Sequence, residues 1–341
     1  MKKLFIILCL FVLAGCSNAS EGMIYERLGI HMGTTVEIQI YGQDMEWLLD
    51  EAFTIIAEFD QRLTVVEPGF ESEVQRINEM AGIAPVEVSA STLDLILQSI
   101  TAGDKTGGRL DITVGPLTGM WRWAMNENVL PDKDELIEGL LMVNYQAVKV
   151  DIEEQTVFLP NAGMQLDLGG VAKGFVADYV GLFLRSEGVE HAIINMGGDL
   201  VVLGTHPTGN PWNIGVLNPF EIQTQRVVMG VVESKNQAVI TSGVYERYAV
   251  IDGVRYHHII DPQSGMPFQS DIISITVVAE TGFLGEVYTI SAFAMDAIDA
   301  LEYIEDLSGI EAIIVTDEKD VLVTSGLQET FVLLDDSFTK R

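Results

Sequence analysis

Residues 166–178, LDLGGVAKGFVAD, join a predicted strand to a predicted helix and place two acids and one lysine in a short segment. Gly169 and Gly170 precede the helix, where a glycine pair allows a tight turn and lets a ligand approach the backbone. The first N–H groups of a helix are free donors that favour an anion. Lys173 falls in the first turn, although the helix dipole favours an acid there. The segment indicates either a tight turn with a solvated lysine or an anion site with Lys173 as its cation.

Apolar periodicity extends the pattern over the rest of the chain. Residues 35–41 alternate as in a strand, whereas residues 44–59 and 92–102 have helical spacing, the latter ending at Gly103. Residues 283–306 predict one helix, and Asp252-Gly253 predicts a type I′ hairpin turn. Because strands and helices do not alternate regularly, we predict an α+β fold of mixed sheets with packed helices, in a single domain over residues 29–335. The glycines do not form a G-x-G-x-x-G pattern, so a Rossmann site is not indicated.

The amino terminus has the pattern of an export signal. Lys2 and Lys3 precede an apolar run that is too short to span a bilayer, and LAGC at residues 13–16 resembles the bacterial lipobox. We therefore expect residues 1–15 to be a lipoprotein signal peptide, Cys16 to be lipidated, and residues 16–28 to form a tether. The alternative is an ordinary signal peptide with a chance cysteine. The lipobox interpretation predicts an exported protein anchored to the outer face of the cytoplasmic membrane, or to the periplasmic side of a membrane.

The charge of the chain limits its partners. The formal net charge is −31, and it becomes −33 once Lys2 and Lys3 leave with the signal. This excess of acid argues against nucleic acid as a partner. An anionic ligand would need a local cation, either a lysine or a metal ion. The only cysteines are Cys9 and Cys16, so the mature body has no pair for a disulfide.

Two further segments carry candidate chemistry. They are TSGVYERY at residues 241–248 and YHHIIDPQSG at residues 256–265. His257 and His258 are adjacent on a predicted strand, so they point to opposite faces and at most one serves a given site. Neither H-x-x-x-H nor C-x-x-C spacing occurs, which argues against a zinc site. A metal here would be hard and oxygen-ligated, which suits Mg²⁺.

Seven stretches in order resemble the ApbE family of FAD:protein FMN transferases. They are MGTTVEI (32–38), SEVQRIN (72–78), LDITVGPLTGMW (110–121), LDLGGVAKGFVAD (166–178), INMGGDLVVLG (194–204), VITSGVYER (239–247) and HHIIDPQSGMP (257–267). The resemblance implies FAD binding, Mg²⁺ dependence, and transfer of FMN to a threonine or serine hydroxyl of an acceptor protein, with AMP leaving. The alternatives are an FAD pyrophosphatase, in which water replaces the acceptor hydroxyl, and a non-catalytic FAD-binding lipoprotein with a degraded metal site.

The resemblance also implies roles for individual residues. His258 would lie beside the flavin and act as a base or position the hydroxyl, and Lys173 would neutralise phosphate charge. Many members place an aromatic residue before the S-E segment, where it could stack on the flavin; it has no clear counterpart in this sequence, where VVEPGF offers Val66 or Phe70. The residues implied for FAD binding are Met32, Arg109, Leu110, Asp111, Asp167, Lys173 and Ile260. The residues implied as Mg²⁺ ligands are Gly170, through its carbonyl oxygen, Glu286 and Thr289.

This sequence departs from the family pattern at the predicted metal site. A D-x-x-[SD]-T segment normally supplies Mg²⁺ ligands, but here Glu286 stands at the aspartate position and Ile290 at the threonine position. Isoleucine offers no oxygen, and Thr289 lies about 100° away around a helix. Val244 also replaces a residue that is usually polar. The sequence thus supports FAD binding more strongly than it supports a metal-dependent reaction.

Overall fold

The computed structural model describes residues 23–65, 72–221 and 227–341. The helices in these ranges are α1 (Glu46–Leu63), α2 (Glu73–Glu79), α3 (Ala90–Lys105), α4 (Gly115–Glu127), α5 (Lys133–Leu140), α6 (Ala172–Ser186), α7 (Gly282–Ala292) and α8 (Ala297–Glu305). The first strands are β1 (Met23–His31), β2 (Thr34–Gly42), β3 (Val86–Glu87), β4 (Lys149–Asp151), β5 (Thr156–Phe158), β6 (His191–Met196), β7 (Asp199–Leu203), β8 (Trp212–Leu217) and β9 (Val228–Ser234). The later strands are β10 (Ala238–Gly243), β11 (Tyr248–Ile251), β12 (Val254–His257), β13 (Ile272–Ala279), β14 (Glu311–Thr316), β15 (Asp320–Val323), β16 (Phe331–Leu333) and β17 (Thr339–Lys340).

A nine-stranded sheet forms the middle layer, in the order β1-β2-β6-β7-β10-β13-β14-β15-β17. Its strands pair antiparallel except for β15 and β17, which are parallel. Helices α1, α6, α7 and α8 cover one face, and the three-stranded sheet β16-β9-β8 covers the other. Val36, Ile38 and Ile40 of β2 are fully buried against the helices, as the period-two alternation predicts. The mixed α+β prediction is therefore confirmed.

Two helix predictions are wrong, one at its end and one in its middle. The helix expected to stop at Gly103 continues to Lys105 and ends before Gly107, which adopts a left-handed φ of 64°. The single helix expected over residues 283–306 is two helices, α7 and α8. The carboxylate of Asp271 accepts a hydrogen bond from the Ala297 N–H at 2.8 Å, which supplies a new helix start from a distant segment. A long-range partner of this kind leaves no local pattern.

The domain extends beyond the predicted boundaries at both ends. Residues 23–28, predicted as part of a tether, belong to β1 and pair with β2. At the other end, β17 pairs with β15, although the predicted domain stops at residue 335. The signal peptide, Cys16, Val66 and Phe70 lie outside the described residues. Within the ranges that are described, no helix has the length and apolar character needed to cross a bilayer.

Candidate functional site

One cavity of about 830 Å³ opens between the β1–β2 turn, α4, the start of α6, and the segments around β10 and β12. This volume is in the range of small-molecule and cofactor sites, which is ~300–1,000 Å³. The cavity brings together ten of the residues predicted from the sequence, from five separate parts of the chain. They are Met32, Arg109, Leu110, Asp111, Asp167, Gly170, Lys173, His258, Ile260 and Glu286.

The LDLGGVAKGFVAD segment, residues 166–178, lines one side of this cavity. Gly169 and Gly170 lead into α6, which begins at Ala172, so Lys173 lies in its first turn. The Asp167 carboxylate accepts hydrogen bonds from the Gly169 N–H at 2.9 Å, from the Thr118 hydroxyl at 2.7 Å and from the Arg122 guanidinium at 3.2 Å. Asp167 therefore fixes the turn before α6 and joins it to α4.

Lys173 is not a solvated lysine. Its ammonium donates to the Asp199 carboxylate and, at 2.9 Å, to Oε1 of Glu286. The same Glu286 oxygen accepts the Gly174 N–H at 3.2 Å. Glu286 comes this close because α6 and α7 cross with backbone contact: a Cβ atom on Gly174 would lie 2.3 Å from the Gly282 carbonyl oxygen. Asp199 and Glu286 are buried, and together with Lys173 they form a triad with a net charge of −1 when all three are ionised.

The triad determines how its members hold protons. Burial lowers the pKa of Lys173, but the charges of Asp199 and Glu286 outweigh burial and raise this pKa well above its usual range. Burial raises the pKa of Glu286, the nearby Asp199 charge adds to this, and the Lys173 ammonium opposes both. Lys173 is therefore a permanent cation on the cavity wall, held by two carboxylates.

The β1–β2 turn brings Met32 to the cavity. Met32 and Gly33 have φ values of 51° and 69°, so both central residues of the two-residue turn are left-handed, as in a type I′ hairpin. Methionine is an unusual residue for this conformation, which favours glycine and asparagine. Residues in such conformations cluster at functional sites. The placement of Met32 agrees with its predicted contact to FAD, which stays a prediction.

The 109–111 loop is held in place by its own hydrogen bonds. Asp111 accepts the Thr113 N–H at 2.7 Å with one oxygen and the Tyr145 N–H at 3.1 Å with the other. Burial raises the pKa of Asp111, against the effect of these donors. The Arg109 guanidinium lies 5.2 Å from the centre of the Tyr303 ring. Asp111 thus shapes the loop, and contact of Arg109, Leu110 or Asp111 with FAD stays a prediction.

The two adjacent histidines have different environments, as predicted. His257 is buried and its Nε2 lies 2.8 Å from the Phe268 carbonyl oxygen, whereas its neighbour His258 lines the cavity. The Nδ1 atom of His258 is 3.2 Å from the Arg247 carbonyl oxygen. Burial, with the nearby His257 and Arg247, lowers the pKa of His258 to about 4. His258 is therefore a neutral imidazole at physiological pH.

Sequence analysis did not single out four charged residues of the cavity wall, Asp199, Glu246, Arg122 and Arg247. Burial and the charge of Asp199 raise the pKa of Glu246 to about 7, against the effect of Lys173 and Arg247. The Glu246 side chain keeps solvent access through the cavity. Asp199 and Glu246 occur in the quoted segments NMGGD and TSGVYERY, but only the fold shows that they face the same space.

Of the three predicted Mg²⁺ ligands, Gly170 and Glu286 line the cavity and Thr289 does not. Thr289 is fully buried outside the cavity lining, and its hydroxyl donates to the Glu286 carbonyl oxygen at 3.0 Å and accepts from Ser242 at 3.0 Å. The Ile290 Cδ1 atom lies 2.8 Å from the position that a Cβ atom on Gly170 would take. In the described part of the chain, no three acidic, histidine or cysteine side chains are grouped to hold a metal ion. These residues do not fit the metal that the resemblance implies.

Comparison with known proteins identifies the family of this chain. The model of the ApbE family matches residues 32–314. A protein from Klebsiella pneumoniae (strain 342) named FAD:protein FMN transferase is 33% identical over 319 residues, covering 94% of this chain and 98% of the relative. A Treponema pallidum (strain Nichols) protein of the same name is 27% identical over 354 residues, covering 98% and 97%.

Solved structures show the same architecture. The crystal structure of the ApbE protein from Thermotoga maritima superimposes with a TM-score of 0.80 at 29% identity, covering 89% of this chain and 98% of that one. The flavin transferase ApbE from Vibrio cholerae gives a TM-score of 0.75 at 26% identity, covering 93% and 99%. With its whole fold and most of its sequence matched, this chain belongs to the ApbE family.

Proposed function

We propose that this protein transfers FMN from FAD to a hydroxyl group of an acceptor protein. The observation that carries the proposal is the cavity in which Lys173, at the start of α6, faces the same space as His258 and Glu246. A helix amino terminus with a fixed ammonium suits the diphosphate of FAD. Relatives that cover nearly the whole chain are named FAD:protein FMN transferase.

The reaction requires little covalent chemistry from the protein itself. The oxygen of a threonine or serine hydroxyl attacks the phosphorus of the FMN half, the bond from that phosphorus to the bridging oxygen breaks, and AMP leaves with the electron pair. Catalysis in such reactions depends on position and on neutralisation of charge. Lys173 supplies positive charge, and the amino-terminal end of the α6 dipole adds to it.

A base must take the proton of the attacking hydroxyl, and the cavity offers two. A base works best when its pKa is near the operating pH. The pKa of Glu246 is raised to about 7, whereas that of His258 is lowered to about 4. We therefore assign proton acceptance to Glu246. His258 is assigned to positioning the hydroxyl or the flavin, as a neutral imidazole fixed through the Arg247 carbonyl.

Mg²⁺ dependence, implied by the resemblance, is not used in this scheme because Gly170, Glu286 and Thr289 do not form a fitting donor set. Membrane attachment through a lipid on Cys16 is part of the proposal and rests on the LAGC sequence alone. A Cys16→Ser variant that stays in the membrane fraction would contradict it. Nucleic acid is not proposed as a partner, because the net charge is −31.

The direct test mixes the full-length protein, in detergent, with FAD and a domain that carries a flavinylation-type threonine. We expect AMP release together with covalent flavin on the acceptor, detected by in-gel fluorescence and by mass. A threonine-to-alanine acceptor is the matched control. AMP without labelled acceptor would indicate an FAD pyrophosphatase, and FAD binding without AMP would indicate a non-catalytic flavin-binding protein.

A further inference from the structure

Gly170 and Ile290 are in contact across the cavity wall, where the family resemblance implies a metal ion between a carbonyl oxygen and a threonine hydroxyl. The Ile290 side chain reaches Gly170 closely enough that even a Cβ atom there would be 2.8 Å from its Cδ1 atom. A branched hydrocarbon side chain thus occupies the space beside Gly170. Mg²⁺ requires oxygen ligands at ~2.0–2.1 Å in near-octahedral geometry, which this contact does not provide.

Two of the neighbouring oxygens, Oε1 of Glu286 and the Thr289 hydroxyl, already form hydrogen bonds within the protein. One Glu286 oxygen accepts from both Lys173 and the Gly174 N–H. The Thr289 hydroxyl is bonded to the helix backbone and to Ser242, and it is fully buried. Moving either group toward a metal would break these bonds, and a broken bond at a buried polar group costs ~1–3 kcal/mol.

A cation is nevertheless present at this place. The Lys173 ammonium lies between Asp199 and Glu286, and it lines the same cavity as Gly170 and Ile290. Asp199 is itself held by the Thr241 N–H, which donates to its other oxygen at 3.3 Å. A divalent ion bound by these two carboxylates would have to displace the ammonium or stand beside it, and like charges in a buried site repel strongly.

We propose that Lys173 is the resident cation of this site and that Ile290 closes the position beside Gly170 to divalent metal ions. The site then binds FAD and supports AMP release without added metal. The part of this proposal that concerns turnover rests on the proposed function, whereas the part that concerns metal binding does not. In this proposal, Ile290 determines which cation neutralises the charge of the diphosphate.

The first experiment measures Mn²⁺ binding to the full-length protein in detergent by electron paramagnetic resonance, without FAD. The acidic surface binds Mn²⁺ non-specifically, so Mn²⁺ binding to the native protein is compared with Mn²⁺ binding to the Glu286→Gln variant. We expect the two proteins to bind equal amounts. Ile290→Thr adds a hydroxyl at the closed position, and we expect an affinity at least about tenfold tighter than in the matched Ile290→Val control. Native binding that Glu286→Gln abolishes would overturn the proposal.

The second experiment follows FAD binding and AMP release with excess EDTA and with Mg²⁺. Equal AMP release in both conditions supports the proposal. AMP release that requires Mg²⁺ overturns it and leaves the proposed function intact. If FAD binds but no AMP appears in either condition, the proposed function fails, and the Mn²⁺ comparison alone decides the metal question. Thermal unfolding of each variant verifies that it is folded, and the native protein gives a result even if Ile290→Thr does not fold.

Discussion

Replacing Lys173 with methionine removes the ammonium and keeps most of the apolar stem. The change leaves the buried carboxylates of Asp199 and Glu286 without their cation. At 2.9 Å from Glu286, one unit charge contributes a gross attraction of ~6 kcal/mol at an effective dielectric constant of about 20. Desolvation offsets part of this, and loss of one partner from a buried pair typically costs ~3–5 kcal/mol. We expect Lys173→Met to lower the free energy of unfolding by ~3–5 kcal/mol at pH 7.5.

The pH dependence of the loss tests the electrostatic reasoning. In the variant, one carboxylate of the pair is expected to take up a proton in the folded state, whereas in the unfolded chain it is ionised above about pH 4.3. The folded state then binds more protons than the unfolded state, so stability rises as pH falls. Between pH 7.5 and 5.5 the variant gains up to ~2.7 kcal/mol, from ~1.36 kcal/mol per pH unit for one proton. The native protein gains less over this range, because its Lys173 ammonium opposes the rise in the pKa of Glu286.

Urea unfolding followed by tryptophan fluorescence at both pH values measures this effect. Adding Glu286→Gln to the Lys173→Met variant should make the combined loss smaller than the sum of the single losses by ~1–3 kcal/mol. The exposed Lys235→Met is the matched control, and we expect it to change stability by no more than ~0.5 kcal/mol. A loss below ~1 kcal/mol for Lys173→Met, or a loss independent of pH, would refute the assignment of a buried triad.

Three further predictions follow from named contacts. The pKa of Glu246 is raised to about 7 and a base must be deprotonated, so the rate of acceptor-dependent AMP release should rise as pH increases through 7. Glu246→Gln should lower kcat ~10²–10⁴-fold and remove this rise with pH. His258→Gln should retain the rise. Asp178 accepts from two N–H groups at the start of α7, and burial raises its pKa to about 6, so native stability should fall as pH rises from ~4 to ~6. Asp178→Ala should cost ~1–2 kcal/mol in urea unfolding and make that slope shallower, leaving the part that comes from Glu246 and Glu286. Gly197 and Gly198 both have positive φ, but a Cβ atom would meet a side chain 2.0 Å away only at Gly197. Gly197→Ala should therefore lower the melting temperature more than Gly198→Ala.

Much of the fold can be predicted from local sequence, because its determinants are local. The alternation of residues 35–41 decides which face of β2 is buried. Asp252 and Gly253 adopt φ values of 52° and 80°, and these two residue types tolerate that conformation, so the dipeptide alone predicts the type I′ turn. Gly188 lies two residues after the end of α6 and has a φ of 86°, so this glycine also marks a helix end that local sequence predicts.

The site could be predicted only in part, because its critical contacts join distant segments. Asp199 and Glu286 are 26 and 113 residues from Lys173, and no periodicity links them. The break between α7 and α8 depends on Asp271, which is likewise remote in sequence. The family resemblance assigned Lys173 to phosphate and Glu286 to Mg²⁺. The structure instead pairs them with each other, and this changes the expected role of Glu286.

The distribution of charge explains how a strongly acidic protein can accommodate an anionic substrate. The cavity lining includes four of the nineteen basic residues of the chain, namely Arg109, Arg122, Lys173 and Arg247, and five of its fifty acidic ones. Of these acids, Asp111 is committed to backbone donors, and Asp167, Asp199 and Glu286 to cationic side chains. The lining is therefore nearly neutral, although the chain carries −31. Because exposed charges beyond about 8 Å are largely screened at physiological ionic strength, the remaining surface acids oppose FAD weakly, and the basic groups within the cavity determine whether its diphosphate is held.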